Sequence, residues 1–272
     1  MTKDDEPVGI DNIKNICLIM SGKGGVGKST IICQLALKYQ SCYYKVGVLD
    51  IDLCGPSIPR ILGCESNEII ESDEGELIPT EIIHKFNDDN KFHNIKVISL
   101  AFGVNSKDDA VIWRGPKKTA MISQLLNNAR WGDLDILLID TPPGTSDEHI
   151  SIMSNLATRK NLKGAILIST PQMASISQII RQITFCHKVN CPIIGLIENM
   201  NSYKCPNCDN CTHLFAHGGV LALSKDKNIP FLGGLPLNTK LMEECESESK
   251  SSNSFILNEI DDIYENIKIT IH

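Results

Sequence analysis

Two parts of this chain have residue types and spacings that do chemistry. Gly22 to Ser29 reads GKGGVGKS, a glycine run ending in Lys-Ser. It fits G-x-x-x-x-G-K-[ST], a pattern whose backbone N–H groups curl around phosphate oxygens. In that pattern Gly22, Lys23, Gly24, Gly25, Val26, Gly27, Lys28, Ser29 and Thr30 form a phosphate cradle. Lys28 reaches the β- and γ-phosphates, and the Ser29 hydroxyl serves Mg²⁺. The second part, Cys205 to Cys211, reads CPNCDNC, three thiols each two residues from the next. Thiols at that spacing can remain unliganded, form a redox dithiol, bind zinc or ligate an iron–sulfur cluster.

Acidic residues stand where a magnesium site needs them, after apolar runs. In VLDIDLCGP, Asp52 is the candidate for orienting an attacking water, and Asp50 for supporting the metal shell. In LLIDTPPGTSDEH, Asp140 ends an apolar run and resembles a Walker B aspartate holding a magnesium-bound water. Pro142, Pro143 and Gly144 follow it as a loop able to sense a γ-phosphate. A helix N-cap or a turn is the alternative role for each aspartate. The chain is therefore expected to bind and hydrolyse a nucleoside triphosphate with Mg²⁺.

The thiols are narrowed by counting ligands. Zinc could take Cys205, Cys208, Cys211 and His213 from one chain. Alternatively Cys205 and Cys208 from each of two chains supply the four thiolates of a [4Fe–4S] cluster, leaving Cys211 surplus. Both readings stay open on spacing alone. The remaining cysteines, Cys17, Cys33, Cys42, Cys54, Cys64, Cys186, Cys191 and Cys245, read as isolated, small core residues.

Positioning these groups requires strands that end at them. The runs at 15–20, 46–49, 95–100, 136–139, 165–168 and 193–197 are apolar on both faces, as buried parallel strands are. Helix-like stretches at 29–39, 116–129 and 175–186 alternate with them. The alternation predicts an α/β fold: one mostly parallel sheet flanked by helices, with function at the carboxyl ends of the strands. The 272 residues are expected to form a single domain. Residues 65–94 are too polar for a core and read as a surface excursion, with a cysteine loop at about 201–219. Residues 243–253 read as an exposed linker before a last helix carrying Phe255, Ile256, Ile260 and Ile263 on one face.

Composition excludes several classes. With 42% hydrophobic and 22% charged residues and a formal charge of −7, the chain lacks the basic surface of a general nucleic-acid binder. It has no apolar run of about 20 residues to span a bilayer. The acidic start MTKDDEPVGI lacks the form of a signal or transit peptide, so a cytosolic or nuclear location is expected.

Two resemblances sharpen these readings. GKGGVGKS resembles the deviant Walker A loop of the MinD/NifH/ParA class of ATPases. The resemblance implies ATP, a face-to-face homodimer, and a Lys23 that acts in trans on the partner's nucleotide. It also implies that Asn199, in IENM, contacts adenine, and that IPFLGGLPL, with Pro236, closes over the base. From the residues alone, Lys23 reads equally as solvated, Asn199 as a loop cap and IPFLGGLPL as strand and turn. Beyond the loop, the segments LDIDLCGPSIP, DDAVIWRGPKK, WGDLDILLIDTPPGTSDEH, STPQ and IENMNSYKCPNC resemble the Mrp/ApbC family of iron–sulfur cluster carrier ATPases, over residues 12–240. The likeness is greatest to its short cytosolic eukaryotic form. It implies a labile [4Fe–4S] cluster bridging a homodimer at Cys205 and Cys208, a hetero-complex with a longer paralogous scaffold, and recipient apo iron–sulfur proteins. Membranes and nucleic acid are not expected partners. The rival readings are a zinc-clasped dimeric ATPase for client delivery and a MinD- or ParA-like positioning ATPase. Asn201 and Ser202 depart from the family's usual Ser-Gly without removing a ligand.

Overall fold

The computed structural model describes residues 6–52, 57–65, 67–84, 93–103, 115–204, 211–212, 219–246 and 256–271. Among them, nine strands form one sheet in the order β10-β9-β8-β1-β7-β2-β6-β5, with β11 also paired to β9. The central strands are β1 (Ile16–Ser21), β2 (Val46–Asp50), β6 (Ile95–Ser99), β7 (Ile136–Asp140), β8 (Leu162–Ser169) and β9 (Ile193–Lys204). They run parallel. β11 (Phe231–Leu237) is parallel to β9, whereas β10 (Cys211–Thr212) and β5 (Thr80–Ile82) are antiparallel edge strands.

Side chains alternate across each strand, and both faces are covered. Ile16, Leu18 and Met20 of β1 enter one core, and Cys17 and Ile19 enter the other. This is why these strands read as unbroken apolar runs. The first core is closed by α3 (Gly115–Asn127), α4 (Asp147–Leu156), α5 (Met173–Lys188) and α6 (Gly219–Lys227). The second is closed by α1 (Lys28–Ser41), α2 (Ile58–Leu62) and α8 (Glu259–Ile271). Helix α7 (Thr239–Glu246) lies against α2. No helix among the described residues is long and apolar enough to cross a membrane.

Three expectations change. The segment 65–94 is not wholly an excursion. It contains a small hairpin, β3 (Ile70–Glu71) with β4 (Leu77–Ile78), and then β5, which joins the main sheet. Leu77 is buried in the core. An edge strand pairs on one side only, so polar residues persist in it. The linker expected from 243 begins inside α7, an acidic amphipathic helix. The last helix docks with Ile260, Ile263, Tyr264 and Ile267, one turn later than expected; Ile256 precedes it and Phe255 lies outside the described residues.

Candidate functional site

The glycine run forms the turn from β1 into α1, at the carboxyl edge of the sheet. Parallel register brings Asp50, at the end of β2, beside Asp140, at the end of β7, and Asp140 beside Ile19 of β1. Three sequence-distant segments therefore converge because β1, β7 and β2 are neighbours. Lys28 is buried and its ammonium pairs with Asp140 Oδ1. Its Nζ stands 3.6 Å from Asp52 Oδ2. Ser29 Oγ donates to the other oxygen of Asp140 at 2.8 Å. Lys28, Ser29, Asp52 and Asp140, four residues expected to act together, thus form one ion-paired group.

Asp50, expected to support the metal shell, lies behind Asp52. It is buried, accepting from Ser99 Oγ at 2.9 Å and from the Asp52 backbone N–H at 3.1 Å. It organises the Asp52 turn from behind. Burial, and then the charge of Asp140, push its pKa up to about 8. Burial also raises Asp140, against the lowering effect of Lys28 and Ser29. Two carboxylates side by side in a dry site do not both ionise readily, and the one without the lysine keeps the proton.

A cleft of about 260 Å³ is lined by Lys23, Gly24, Gly25, Val26, Gly27, Lys28, Ser29 and Thr30, with Ser21, Asp52, Ser57 and Pro143. Lys23 is exposed at its rim. Gly27 and Thr30 also line a second cavity of about 240 Å³, walled by Asn199, Met200, Leu235, Pro236 and Leu257. The second cavity is the more apolar of the two, as the base end of a nucleotide requires. Asn199 is buried and its Nδ2 donates to Val26 O at 2.8 Å. It thus caps the phosphate loop while lining the second cavity. Gly27 has φ +84° and would place a Cβ onto Asn199 Nδ2, so glycine is required there twice over.

The donor set suits Mg²⁺. Ser29 and the carboxylates of Asp140 and Asp52 are hard oxygen ligands, and magnesium takes one or two carboxylates plus substrate phosphates. Among the described residues no group of three or more His, Cys, Asp or Glu side chains could hold a metal by itself. Cys205 and Cys208, the expected cluster ligands, lie outside the described residues. The backbone of Cys211 and Thr212 is placed as β10, paired to Lys204 and Tyr203.

Three contributors had no sequence signal. Ser99 is one, reached only through the β2–β6 register. His149 is another: its Nδ1 accepts from the Ser146 N–H at 3.3 Å, closing the start of α4, and burial depresses its pKa to about 4. Gln182 of α5 is the third, bonded to Ser21 O and Gly144 O.

A parallel sheet with a phosphate loop after its central strand and an aspartate at the end of the next defines a P-loop NTPase. The family model described as ParA, NUBPL iron-transfer P-loop NTPase, matches residues 12–271, and the chain belongs to that family. A Trichoplax adhaerens protein named cytosolic Fe-S cluster assembly factor NUBP2 homolog is 50% identical, covering 86% of this chain and 85% of its own. The Candida albicans cytosolic Fe-S cluster assembly factor CFD1 is 43% identical over 94% of this chain and 89% of its own. A nucleotide-binding protein of Archaeoglobus fulgidus, solved with ADP, has a TM-score of 0.70 and 35% identity over 86% of both chains.

Proposed function

We propose that this protein is an ATP-hydrolysing scaffold that assembles a labile [4Fe–4S] cluster between two copies of itself and passes it to cytosolic and nuclear apoproteins. The names of its relatives, cytosolic Fe-S cluster assembly factors, support the cytosolic setting and the cluster cargo. ADP in the archaeal relative supports an adenine nucleotide in the joined clefts. Lys28 would neutralise the phosphates, Ser29 and Asp140 would hold Mg²⁺, and Asp52 would orient the attacking water. When bound, the metal would neutralise charge on the phosphates. Asn199 and Pro236 would hold the base. Lys23 would reach a partner's nucleotide, and Cys205 and Cys208 of both copies would hold the cluster. A hetero-complex with a longer paralogous scaffold belongs to the same reading.

The observation that carries this reading is the course of β9. Asn199 bonds the phosphate loop at Val26, while its neighbour Glu198 accepts from the N–H of Val220 at 3.0 Å. The strand then ends at Lys204, immediately before Cys205. One strand thus touches the nucleotide loop and both flanks of the cysteine segment, so a shift at one is felt at the other. The apolar stripe of α8 is buried in the core, which disfavours a membrane-binding tail.

The test is anaerobic reconstitution with iron and sulfide, on wild type and on Cys205→Ala with Cys208→Ala, read by metal and sulfide analysis, Mössbauer spectra and native mass. About four irons and four sulfides per dimer, lost in the double variant, are expected. One tight zinc per dimer and no iron would favour the zinc-clasped client carrier.

A further inference from the structure

Helix α5 backs the phosphate loop. A Cβ on Gly22 would lie 2.5 Å from Gln178 Cβ and 2.9 Å from Ile179 N, so loop and helix touch backbone to backbone. One turn on, Gln182 is fully buried, and its amide donates twice. One bond goes to Ser21 O at 3.2 Å and the other to Gly144 O at 2.6 Å. The N–H of Gly144 itself donates to Ser21 O at 2.8 Å. The end of β1, the loop after β7 and the middle of α5 therefore meet in one hydrogen-bonded node. The amide nitrogen must face the two carbonyls, because an amide oxygen there would meet only acceptors. Oε1 is left buried with no hydrogen-bond partner among the described residues.

This node occupies the group through which the loop could read a γ-phosphate. Backbone N–H groups are what phosphate oxygens bind, and Gly144 is the glycine of the Pro-Pro-Gly turn facing the cleft that Pro143 lines. Here its N–H is turned to the strand end and its C=O is held by α5. We propose that Gln182 is a positioning residue that latches the loop 141–144 against the phosphate loop and thereby sets discrimination between nucleoside triphosphate and diphosphate. The inference rests on the nucleotide-site reading above. A triphosphate that recruits the Gly144 N–H must break the latch, whereas a diphosphate leaves it closed. The two nucleotides then differ in affinity by the free energy of the latch. The unpartnered Oε1 keeps that free energy small, since a buried amide oxygen without a partner is a cost borne by the latched state alone.

Gln182→Met keeps length and volume and removes both donors. Ser177→Ala, on the exposed face of the same helix, is the control. Wild type and both variants are titrated with mant-ADP and with a non-hydrolysable mant-ATP analogue in Mg²⁺. Gln182→Met is expected to tighten the triphosphate about tenfold relative to the diphosphate, the scale of the hydrogen bonds lost from the latch. Ser177→Ala should leave the ratio at the wild-type value. An equal change for both nucleotides, or none, would overturn the latch and leave Gln182 as packing. Wild type binding neither nucleotide would instead sink the nucleotide-site reading, and the first titration separates that case. Should Gln182→Met lose its cooperative melt, Gln182→Asn, too short to reach both carbonyls, must shift the ratio the same way.

Discussion

At the level of single residues, the site is an arrangement of charges that burial would otherwise forbid. Lys28, Asp140 and Asp50 are all buried, and one positive charge cannot neutralise two carboxylates. Asp50, raised from 3.8 to about 8, takes up the proton. A raised folded-state pKa means that the folded protein binds more protons than the unfolded chain between those values. The resulting stability is full below about pH 4 and is lost as pH rises through about 8. Asp50→Asn should remove that dependence. Its Oδ1 can accept from the Asp52 N–H, and its Nδ2 can donate to Ser99. In thermal melts between pH 5 and pH 8.5, the variant should gain on wild type with rising pH, by on the order of a few kcal/mol at the alkaline end. Parallel pH curves would show that Asp50 is ionised in the folded protein. Lys28→Ala tests the other side of the arrangement. It leaves the Asp140 carboxylate buried without its cation, so a loss of about 3–5 kcal/mol is expected along with the loss of nucleotide binding. An unchanged melt would mean that Asp140 is not ion-paired.

Among the elements, α5 packs closely against the phosphate loop. Gly22→Ala would drive a methyl group into the Gln178 backbone, so α5 must move off the loop. The expected cost is about 1–3 kcal/mol of stability, with weakened affinity for both nucleotides. This differs from Gln182→Met, which should change their ratio. Calorimetry with each nucleotide distinguishes the two. That contrast also marks what could be read from the chain. GKGGVGKS, the strand ends at Asp50 and Asp140, and most of the alternating elements were legible because each is a local pattern of glycine, charge or apolar periodicity. Ser99, Gln182 and Glu198 were not. Their roles depend on which strands and helices become neighbours, and the order β8-β1-β7-β2-β6 departs from chain order throughout. Helix α7 was masked by its own composition, since TKLMEECE is acidic enough to pass for a linker. β5 was hidden likewise, because a strand paired on one side needs little apolar character.

For the whole molecule, the open element is the partner copy. Lys23 is exposed at the rim of the phosphate cleft, where the Ser21 hydroxyl donates to its carbonyl. If it works in trans, Lys23→Ala should leave the melt unchanged and nucleotide affinity nearly so. It should lower steady-state hydrolysis on the order of 10³-fold or more, as loss of an arginine finger does. A cis role predicts something else when variants are mixed. Asp52→Ala disables a chain's own water-positioning carboxylate but keeps its Lys23, whereas Lys23→Ala keeps Asp52. In a trans arrangement, a mixed dimer has one complete site, made of the Asp52 of one copy and the Lys23 of the other. Mixing the two inactive proteins should then restore hydrolysis that neither has alone, and the recovery should saturate at equal amounts. In a cis arrangement each site lacks one group in every pairing, and no mixture recovers. The same experiment read by native mass with ATP shows whether recovery tracks the dimer. If hydrolysis returns without dimers, the face-to-face assembly falls, and with it the two-chain ligand count for the thiols.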